Sequence, residues 1–531
     1  MPLGIYVSRS RGTVSDVIDL ESAVSDAREQ AAVVRVVDDF FDPGVQVQMV
    51  TDVTDASLDA VVLAGNSVEH YTRNLSGQHL KQMFVDAGLN PNKVIAANLI
   101  EQVALVHSDD KEGATKKAKA MIDVAVLRAT VADPLEAMES EPVRSIAILG
   151  ATSEGLVAAQ RLLQLGFSVV IADRSHGLEH LSDAHSMRAT VAFVMGHSSS
   201  RFVDEVKIVD GQGWLGDYEL TFESSGGTVA HHVGGILLAE PNEIEWVSEL
   251  RTHFKVDVDD EGRARSINPA THPAETVDPG IMVVLAANGD TTVRDRVAAA
   301  DSAAIALILK LTQAKTVHYR DTSRVDETLC GGCSTCVRTC AFGACYIDED
   351  GLSHVDVRRC RGCGKCVVSC PVGARDIVNS PHDYIIDAIH IMAQSDYEDA
   401  KIMGFLCGGC GYPAGDDVYR SEGTYPASFL PLRIPCGGRL DTLHVLEAFK
   451  AGFDGVAVFR CREGHCHNLI GNLDMDRRIN LLRTVLRSRR MDDARLRIID
   501  ISPFDGERFA EQVSEFTEGV ASLSDAKGGP Q

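Results

Sequence analysis

Cysteine is absent from the first 329 residues of this 531-residue chain, and all 14 of its cysteines fall between Cys330 and Cys466. A disulfide scaffold would be short and would spread its cysteines through the fold, so that class is excluded. Basic residues are outnumbered: 51 Lys and Arg stand against 76 Asp and Glu, a net charge of −25, which argues against a general nucleic-acid binder. Long apolar runs are missing too. The strongest stretch, Ala298 to Leu311, is too short or too polar to span a bilayer, and Met1 to Arg11 lacks a basic segment followed by an apolar one. These absences predict a cytoplasmic chain with no direct membrane insertion, any membrane contact running through a partner. The remaining composition, 45% hydrophobic and 24% charged, is that of an ordinary globular protein and excludes disorder, collagen and coiled coil. The length predicts about three or four domains.

Residues 1–140 read as α/β. Leu58 to Ala64 is a short buried-strand run, and Lys111 to Ala129 is a long helical pattern. The polar segment 133–143, with two prolines, marks a boundary. Ser145 to Gly150 then opens a strand–turn–helix–strand unit, with a helix from Gly155 to Leu165 and a strand, Ser168 to Ala172, ending at Asp173. Residues 188–285 read as short strands, and Thr291 to Leu311 as an amphipathic helix. Strands recur near Ile402–Leu406, Gly455–Phe459 and Leu496–Ile499, and Ser522 to Gln531 is small, polar and expected to fray.

The cysteines carry the chemistry. Cys330, Cys333, Cys336 and Cys340 form a C-x2-C-x2-C-x3-C run, and Cys360, Cys363, Cys366 and Cys370 repeat it, with Pro371 following. This is the bacterial two-cluster ferredoxin spacing. Two-residue gaps let three thiolates converge on three irons of one cubane, glycines such as Gly362 and Gly364 allow the tight loop, and the fourth cysteine of each run ligates the other cluster. One 4Fe–4S cluster is therefore expected on Cys330, Cys333, Cys336 and Cys370, the other on Cys340, Cys360, Cys363 and Cys366. Structural zinc also uses C-x2-C pairs but does not account for eight cysteines in two matched runs. Ala341 stands where a proline often follows the fourth cysteine, and Cys345 lies outside the pattern and reads as a small buried residue.

Five cysteines remain, Cys407, Cys410, Cys436, Cys461 and Cys466, each group following a predicted strand end, where loops of an α/β domain gather. Four of the five suit a 2Fe–2S cluster. A redox dithiol at Cys407 and Cys410 is the alternative. His465 and His467 are ligands, as in Rieske-type centres, or supporting loop residues, the second being preferred. The arginines of Asp476 to Arg490 form either a docking face for an acidic partner or a solvated helix face. Arg361 and Lys365, inside the second run, either tune its cluster, steer a donor or are simply exposed.

Two stretches resemble known families. FLCGGCGYPAGD (405–416), Arg433 to Arg439, GFDGVAVFRC (452–461) and REGHCHNLIGN (462–472) resemble the small D-type iron–sulfur protein of methyl-viologen-reducing hydrogenase, over residues 400–515. Residues 1–380, most strongly Ala87 to Met121, resemble the A-type component of heterodisulfide reductase. The chain is similar to a fusion of a shortened reductase A component with a hydrogenase D module, related to the B component of the quinone-interacting membrane-bound oxidoreductase. The resemblance implies one 2Fe–2S cluster in the C-terminal module, FAD in the reductase-like part and a role in anaerobic electron transfer. Where that family carries cysteines for an N-terminal cluster, this chain has Tyr6 to Gly12, Met49 to Thr51 and Leu63 to Glu69, without a thiol, so that cluster is expected to be absent. Of the family's FAD motif, Gly150, Gly155, Asp173, Gly289 and Asp290 are kept, but Thr152 replaces the middle glycine, where its side chain crowds the pyrophosphate, and Ala239-Glu240-Pro241 replaces a second motif.

The expected architecture is α/β: a Rossmann-like N-terminal half, a two-cluster ferredoxin (α+β) insert and a C-terminal α/β iron–sulfur domain. Its parts are 1–140, a reductase-like domain without its cluster; 141–320, a degenerate FAD domain; 321–385, the ferredoxin domain; 395–518, the 2Fe–2S domain; and 519–531, a flexible tail. The expected function is electron transfer within a hetero-oligomer. Its partners are heterodisulfide reductase B/C-like proteins and a hydrogenase, formate dehydrogenase or quinone-linked module. The alternatives are an FAD-dependent, electron-bifurcating oxidoreductase and an assembly platform built on residues 1–320.

Overall fold

The computed structural model describes residues 1–73, 75–174, 187–240, 242–267, 272–285, 292–489 and 491–525. The fold is α/β. The first sheet is all parallel, in the order Val33–Val37, Leu3–Ser8, Ala60–Gly65, Val94–Asn98. Leu3–Ser8 and Ala60–Gly65 are buried at every position, because helices cover both faces: Pro43–Asp55 and Leu75–Asp86 on one, Lys111–Val131 on the other.

The second unit is a five-stranded parallel sheet, ordered Ile281–Val283, Gly235–Leu238, Ser145–Leu149, Ser168–Ala172, Ser200–Val203. A three-stranded antiparallel meander, Lys207–Trp214, Asp217–Ser224 and Gly227–Val233, covers one face. Helices Ser153–Gln164 and Val293–Leu311 cover the other. The polar segment around 133–143 is not a plain linker: Ala137–Ser140 pairs antiparallel with Thr316–Tyr319. Residues 188–285 also hold two helices among the strands, Arg188–Gly196 and Ile244–His253; the buried Trp246, Val247 and Leu250 were the helical signal in the second.

Residues 323–377 form two short antiparallel pairs, Ser323–Val325 with Arg375–Ile377 and Cys345–Ile347 with Ser353–Val355. The last sheet repeats the first in topology, in the order Phe429–Ile434, Ile402–Cys407, Gly455–Cys461, Leu496–Ile501, all parallel. Helix Gly506–Asp525 closes it, running past the tail boundary expected at 519; residues 526–531 lie outside the described residues.

The first and last sheets are joined through polar contacts from the segment 87–121. Asp416 accepts hydrogen bonds from Asn98 Nδ2 (2.8 Å), Gln102 Nε2 (2.6 Å) and the Ser67 hydroxyl. Lys117, fully buried, meets His107 Nε2 at 2.9 Å and the Tyr425 hydroxyl at 3.3 Å. Helix Lys111–Val131 packs its other side on His382–Ala393. Asp416→Ala takes their shared acceptor from three buried donors, of which only Gln102 Nε2 keeps another, Tyr412 O at 3.5 Å, and is expected to destabilise the chain by about 3 kcal/mol in urea unfolding; an unchanged midpoint would contradict the part given to Asp416.

Candidate metal centre

The two ferredoxin-type runs fold into loops of matching backbone. Ser334 and Gly364, 30 positions apart, both take left-handed φ, +61° and +75°, just before the short helices Thr335–Thr339 and Lys365–Val368. Gly364 has a second reason to lack a side chain, since a Cβ there would stand 2.4 Å from Arg439 Cδ. Arg375, 3% exposed, lies between the runs. It donates to Ser323 Oγ at 3.3 Å and to Ser353 Oγ, and these serines in turn meet Cys366 Sγ at 3.3 Å and Cys336 Sγ at 3.0 Å.

Cys340, Cys360, Cys363 and Cys366 line one small hollow, although Cys340 belongs to the first run. Cys345 lines it too and is 5% exposed. Hydrogen bonds from Cys345 hold the Cys340 thiol down at about 5 and Cys366 at about 6. Of the set Cys330, Cys333, Cys336 and Cys370, Cys333 reaches the surface.

Arg361 and Lys365 are buried, 8% and 2% exposed, which overturns their readings as exposed or donor-steering side chains. Arg361 Nη1 donates to Arg251 O at 3.1 Å, and burial brings its guanidinium down to about 9. Lys365 Nζ pairs with Asp474 at 2.5 Å. Arg359 grips Asp210 through two bonds of 2.7 and 2.6 Å, and Arg358 bonds Asp217 at 2.6 Å, so the second loop is docked on the meander.

The five late cysteines are all buried at the carboxyl edge of the last sheet. Cys407 and Cys461 end neighbouring strands, with sulfurs 3.8 Å apart, and Cys436 follows the strand Phe429–Ile434. Gly411 N–H donates to Cys407 Sγ at 3.3 Å, and Gly438 N–H to Cys436 Sγ at 3.4 Å. Cys466 is held at about 2, chiefly by hydrogen bonds from Cys436 and Cys461. Cys407, Cys436, Cys461 and Cys466 share a cavity of about 830 Å³ between the first, second and last sheets, whereas Cys410 lines a separate hollow with His465 and His467. His467 Nδ1 stands 3.6 Å from Cys461 Sγ and 3.8 Å from Cys410 Sγ, and its Nε2 bonds Asp257 of the second unit at 2.7 Å. The ligand atoms of Cys410, Cys461 and His467 all lie within 4.8 Å of one another. Arg251, also of the second unit, donates to Cys466 O at 3.2 Å. Sequence reasoning missed Asp257 and Arg251, since no local pattern ties them to cysteines some 200 positions away. Of the arginines of helix Gly471–Ser488, Arg478 bonds Gly438 O at 2.9 Å and Arg483 bonds Leu496 O at 2.7 Å, while Arg477 and Arg487 stay exposed and pair with Asp474 and Asp493.

The two cysteine regions touch. Cys363 packs against the group that contains Cys407, Cys436 and Cys466, and burial pushes its thiol up to about 12. Clustered thiolates with backbone N–H donors suit iron–sulfur groups in their donor chemistry. The flavin cradle fits its group poorly. Thr152 Oγ1 accepts Gly155 N–H at 3.1 Å, capping the helix end where a pyrophosphate would sit. Glu240, bonded by Trp246 Nε1 at 3.2 Å, fills the space over Gly150, where a Cβ would stand 2.5 Å from its Cγ. Asp173 accepts Ala151 N–H at 3.4 Å, and Glu154 sits at the same helix end, paired with Arg296 at 2.7 Å. A dianion there would face fixed carboxylates. Gly289 and Asp290 lie outside the described residues.

Comparison with known proteins gives two groups of relatives. Residues 402–524 match the family described as methyl-viologen-reducing hydrogenase, delta subunit, and residues 352–374 match a 4Fe-4S binding domain. The chain is 33% identical over 133 residues to the iron-sulfur D component of the F420-non-reducing hydrogenase of Archaeoglobus profundus, covering 25% of this chain and 97% of that protein. It is 34% identical over 258 residues to the A component of the ferredoxin:CoB-CoM heterodisulfide reductase of Methanosarcina mazei, covering 49% of this chain and 32% of that protein. A third relative, the A component of the H(2):CoB-CoM heterodisulfide,ferredoxin reductase of Methanothermobacter thermautotrophicus, is 32% identical over 239 residues, 42% of this chain and 35% of that protein. The chain thus spans about a third of the length of the reductase components it matches.

Gly471 tests the late centre directly. A methyl group there would stand 2.4 Å from Cys436 Sγ and 3.6 Å from Cys466 Sγ. Gly471→Ala is expected to lose the iron held by the late cysteines while the ferredoxin-type runs keep theirs. Full iron content in that variant would contradict the placement.

Proposed function

Because the chain belongs, through its C-terminal domain, to the family of D-type hydrogenase iron–sulfur proteins, we propose that it is an electron-transfer component of a heterodisulfide reductase-like complex. Two 4Fe–4S clusters, on Cys330, Cys333, Cys336 and Cys370 and on Cys340, Cys360, Cys363 and Cys366, and one 2Fe–2S cluster on four of the late cysteines would supply one-electron carriers. The observation that carries the reading is the packing of Cys363 against the buried cluster that contains the late cysteines, close enough for its charge to act on the Cys436 thiol. Cys333, at the surface, gives the first set an outward face, and the late cysteines open into the interdomain cavity. The residues around them bury the sulfurs, donate N–H groups to them and supply counter-charge, the means by which a protein sets a cluster's potential. The partners that suit this role are B/C-like reductase proteins and a hydrogenase, formate dehydrogenase or quinone-linked module, in a cytoplasmic hetero-oligomer. Among the described residues no helix is long and apolar enough to cross a membrane.

A second reading, an FAD-dependent oxidoreductase, draws support from the five-stranded parallel sheet with its meander and from Asp173 at the end of Ser168–Ala172. The capping by Thr152 and the position of Glu240 weigh against it.

Anaerobic purification with iron, sulfide and flavin measured together separates the two readings. The electron-carrier reading expects about ten irons and no flavin. Fewer than about eight irons would break the ferredoxin assignment, and stoichiometric flavin would favour the second reading. Lys365→Met, which removes a buried positive charge from the second loop, is expected to lower the midpoint potential of one 4Fe–4S centre by tens of millivolts. Unshifted potentials in a redox titration would contradict that role.

A further inference from the structure

Among the described residues, three carboxylates line the cavity between the first, second and last sheets, and each already has a basic partner. Glu69 stands 3.5 Å from Arg433, Glu275 3.2 Å from Lys310, and Asp257 2.7 Å from His467. Two lysines on the same walls are left over. Among the described residues, neither Lys81 nor Lys255 makes a hydrogen bond or an ion pair. Lys255 faces Asp321 and Cys363 at longer range, so the second ferredoxin-type loop answers its charge. Lys81 has no such answer. The charge that acts on it is Arg433, of the same sign, and burial together with that guanidinium pulls its ammonium down. The late sulfurs act on Arg251 instead. Lys81, on helix Leu75–Asp86 of the first unit, and Arg433, on strand Phe429–Ile434 of the last sheet, are thus held near one another with Glu69 as the carboxylate paired to either. Like charges brought together in such a place call for an anion.

The same cavity offers an apolar seat. Val317 and Tyr319 project from one side of the strand Thr316–Tyr319, both exposed, and both line the cavity with Val85 and Ile267. Its volume, about 830 Å³, falls within the roughly 300–1,000 Å³ of small-molecule sites and far exceeds what one inorganic anion needs. It is also distinct from the filled nucleotide cradle. Pro279, just before Ile281–Val283, and Lys310, in the last turn of Val293–Leu311, lie at the amino edge of the five-stranded sheet. Gly150, Asp173 and Glu240 follow strands at its carboxyl edge.

We propose that this cavity binds an aromatic nucleotide, with its phosphate on Lys81 and Arg433 and its ring against Val317 and Tyr319. Arg433 brings a planar fork of donors and Lys81 a compact point charge, both suited to phosphate oxygens. Arg433 Nη2 also lies 3.0 Å from a Cβ built at Gly408, so the phosphate sits beside the loop that follows Cys407.

The test uses the full-length, cluster-loaded chain, purified anaerobically, in calorimetric titrations with ADP, UDP and inorganic phosphate. A nucleotide is expected to bind one per chain, about tenfold or more tighter than inorganic phosphate, the tighter of the two naming the ring the seat prefers. Lys81→Met and Arg433→Gln are each expected to weaken it by about tenfold or more. Tyr319→Ala should weaken the nucleotide and leave inorganic phosphate unchanged. Asp173→Ala, in the cradle at the other edge, should change neither. Wild-type iron in each variant controls for folding. Without ligand, Lys81→Met should keep or raise the urea midpoint, since it removes an unanswered charge. Four results would each overturn the proposal: no nucleotide binding at millimolar concentration, binding no tighter than that of phosphate, affinity lost in Asp173→Ala but kept in Lys81→Met, or a lowered midpoint in ligand-free Lys81→Met.

Discussion

Sulfur anions cannot be buried together without positive charge beside them, and the rest of this structure is arranged to supply it. The chain carries a net charge of −25. Even so, Arg361, Lys365, Arg375 and Arg439 are all at most 8% exposed, and all lie in or against the second ferredoxin-type loop. Arg375 feels Cys345, Cys366 and Cys336; Arg439 feels Cys366; Arg361 and Lys255 feel Cys363; Arg251 feels Cys466 and Cys461. Each cation is anchored elsewhere: Arg439 by two bonds to Ser380 O at 3.1 and 3.0 Å, Arg361 by Arg251 O, Lys365 by Asp474. The sulfur-rich middle is therefore held by side chains from every neighbouring unit.

This accounts for the long cysteine-free half. The first sheet docks on the last through Asn98, Gln102, His107 and Lys117, all within the segment 87–121 that carries the strongest resemblance to the reductase. The second unit keeps the sheet order of a nucleotide-binding fold but fills its cradle with Glu240 and turns the end of helix Ile244–His253 and the residues after it, to Asp257, onto the sulfur loops. Both behave as walls that fix the spacing of the centres.

The cysteine loops were the most legible part of the sequence, because spacing and left-handed residues such as Gly364 are local instructions. The parallel strands of the last sheet were legible for the same reason: Ile402–Cys407 and Gly455–Cys461 are unbroken buried runs. Pairings over long separations were not. Ala137–Ser140 looks like a polar linker until Thr316–Tyr319 pairs with it. Whether Arg361 and Lys365 tune the cluster, steer a donor or sit exposed was open in the sequence, since nothing local announces that Arg251 and Asp474 will meet them in a buried place. Asp257 had no signal at all: its role exists only because two sheets close on one another.

The central claim is that the late cysteines and the second ferredoxin-type loop lie edge to edge, with Cys363 at the join. Magnetic coupling between reduced centres reports that proximity directly. EPR of the fully reduced chain should show the 2Fe–2S signal broadened and fast-relaxing, returning to a simple slow-relaxing form when only that centre is reduced. A fully reduced spectrum that is the plain sum of isolated centres would contradict the account.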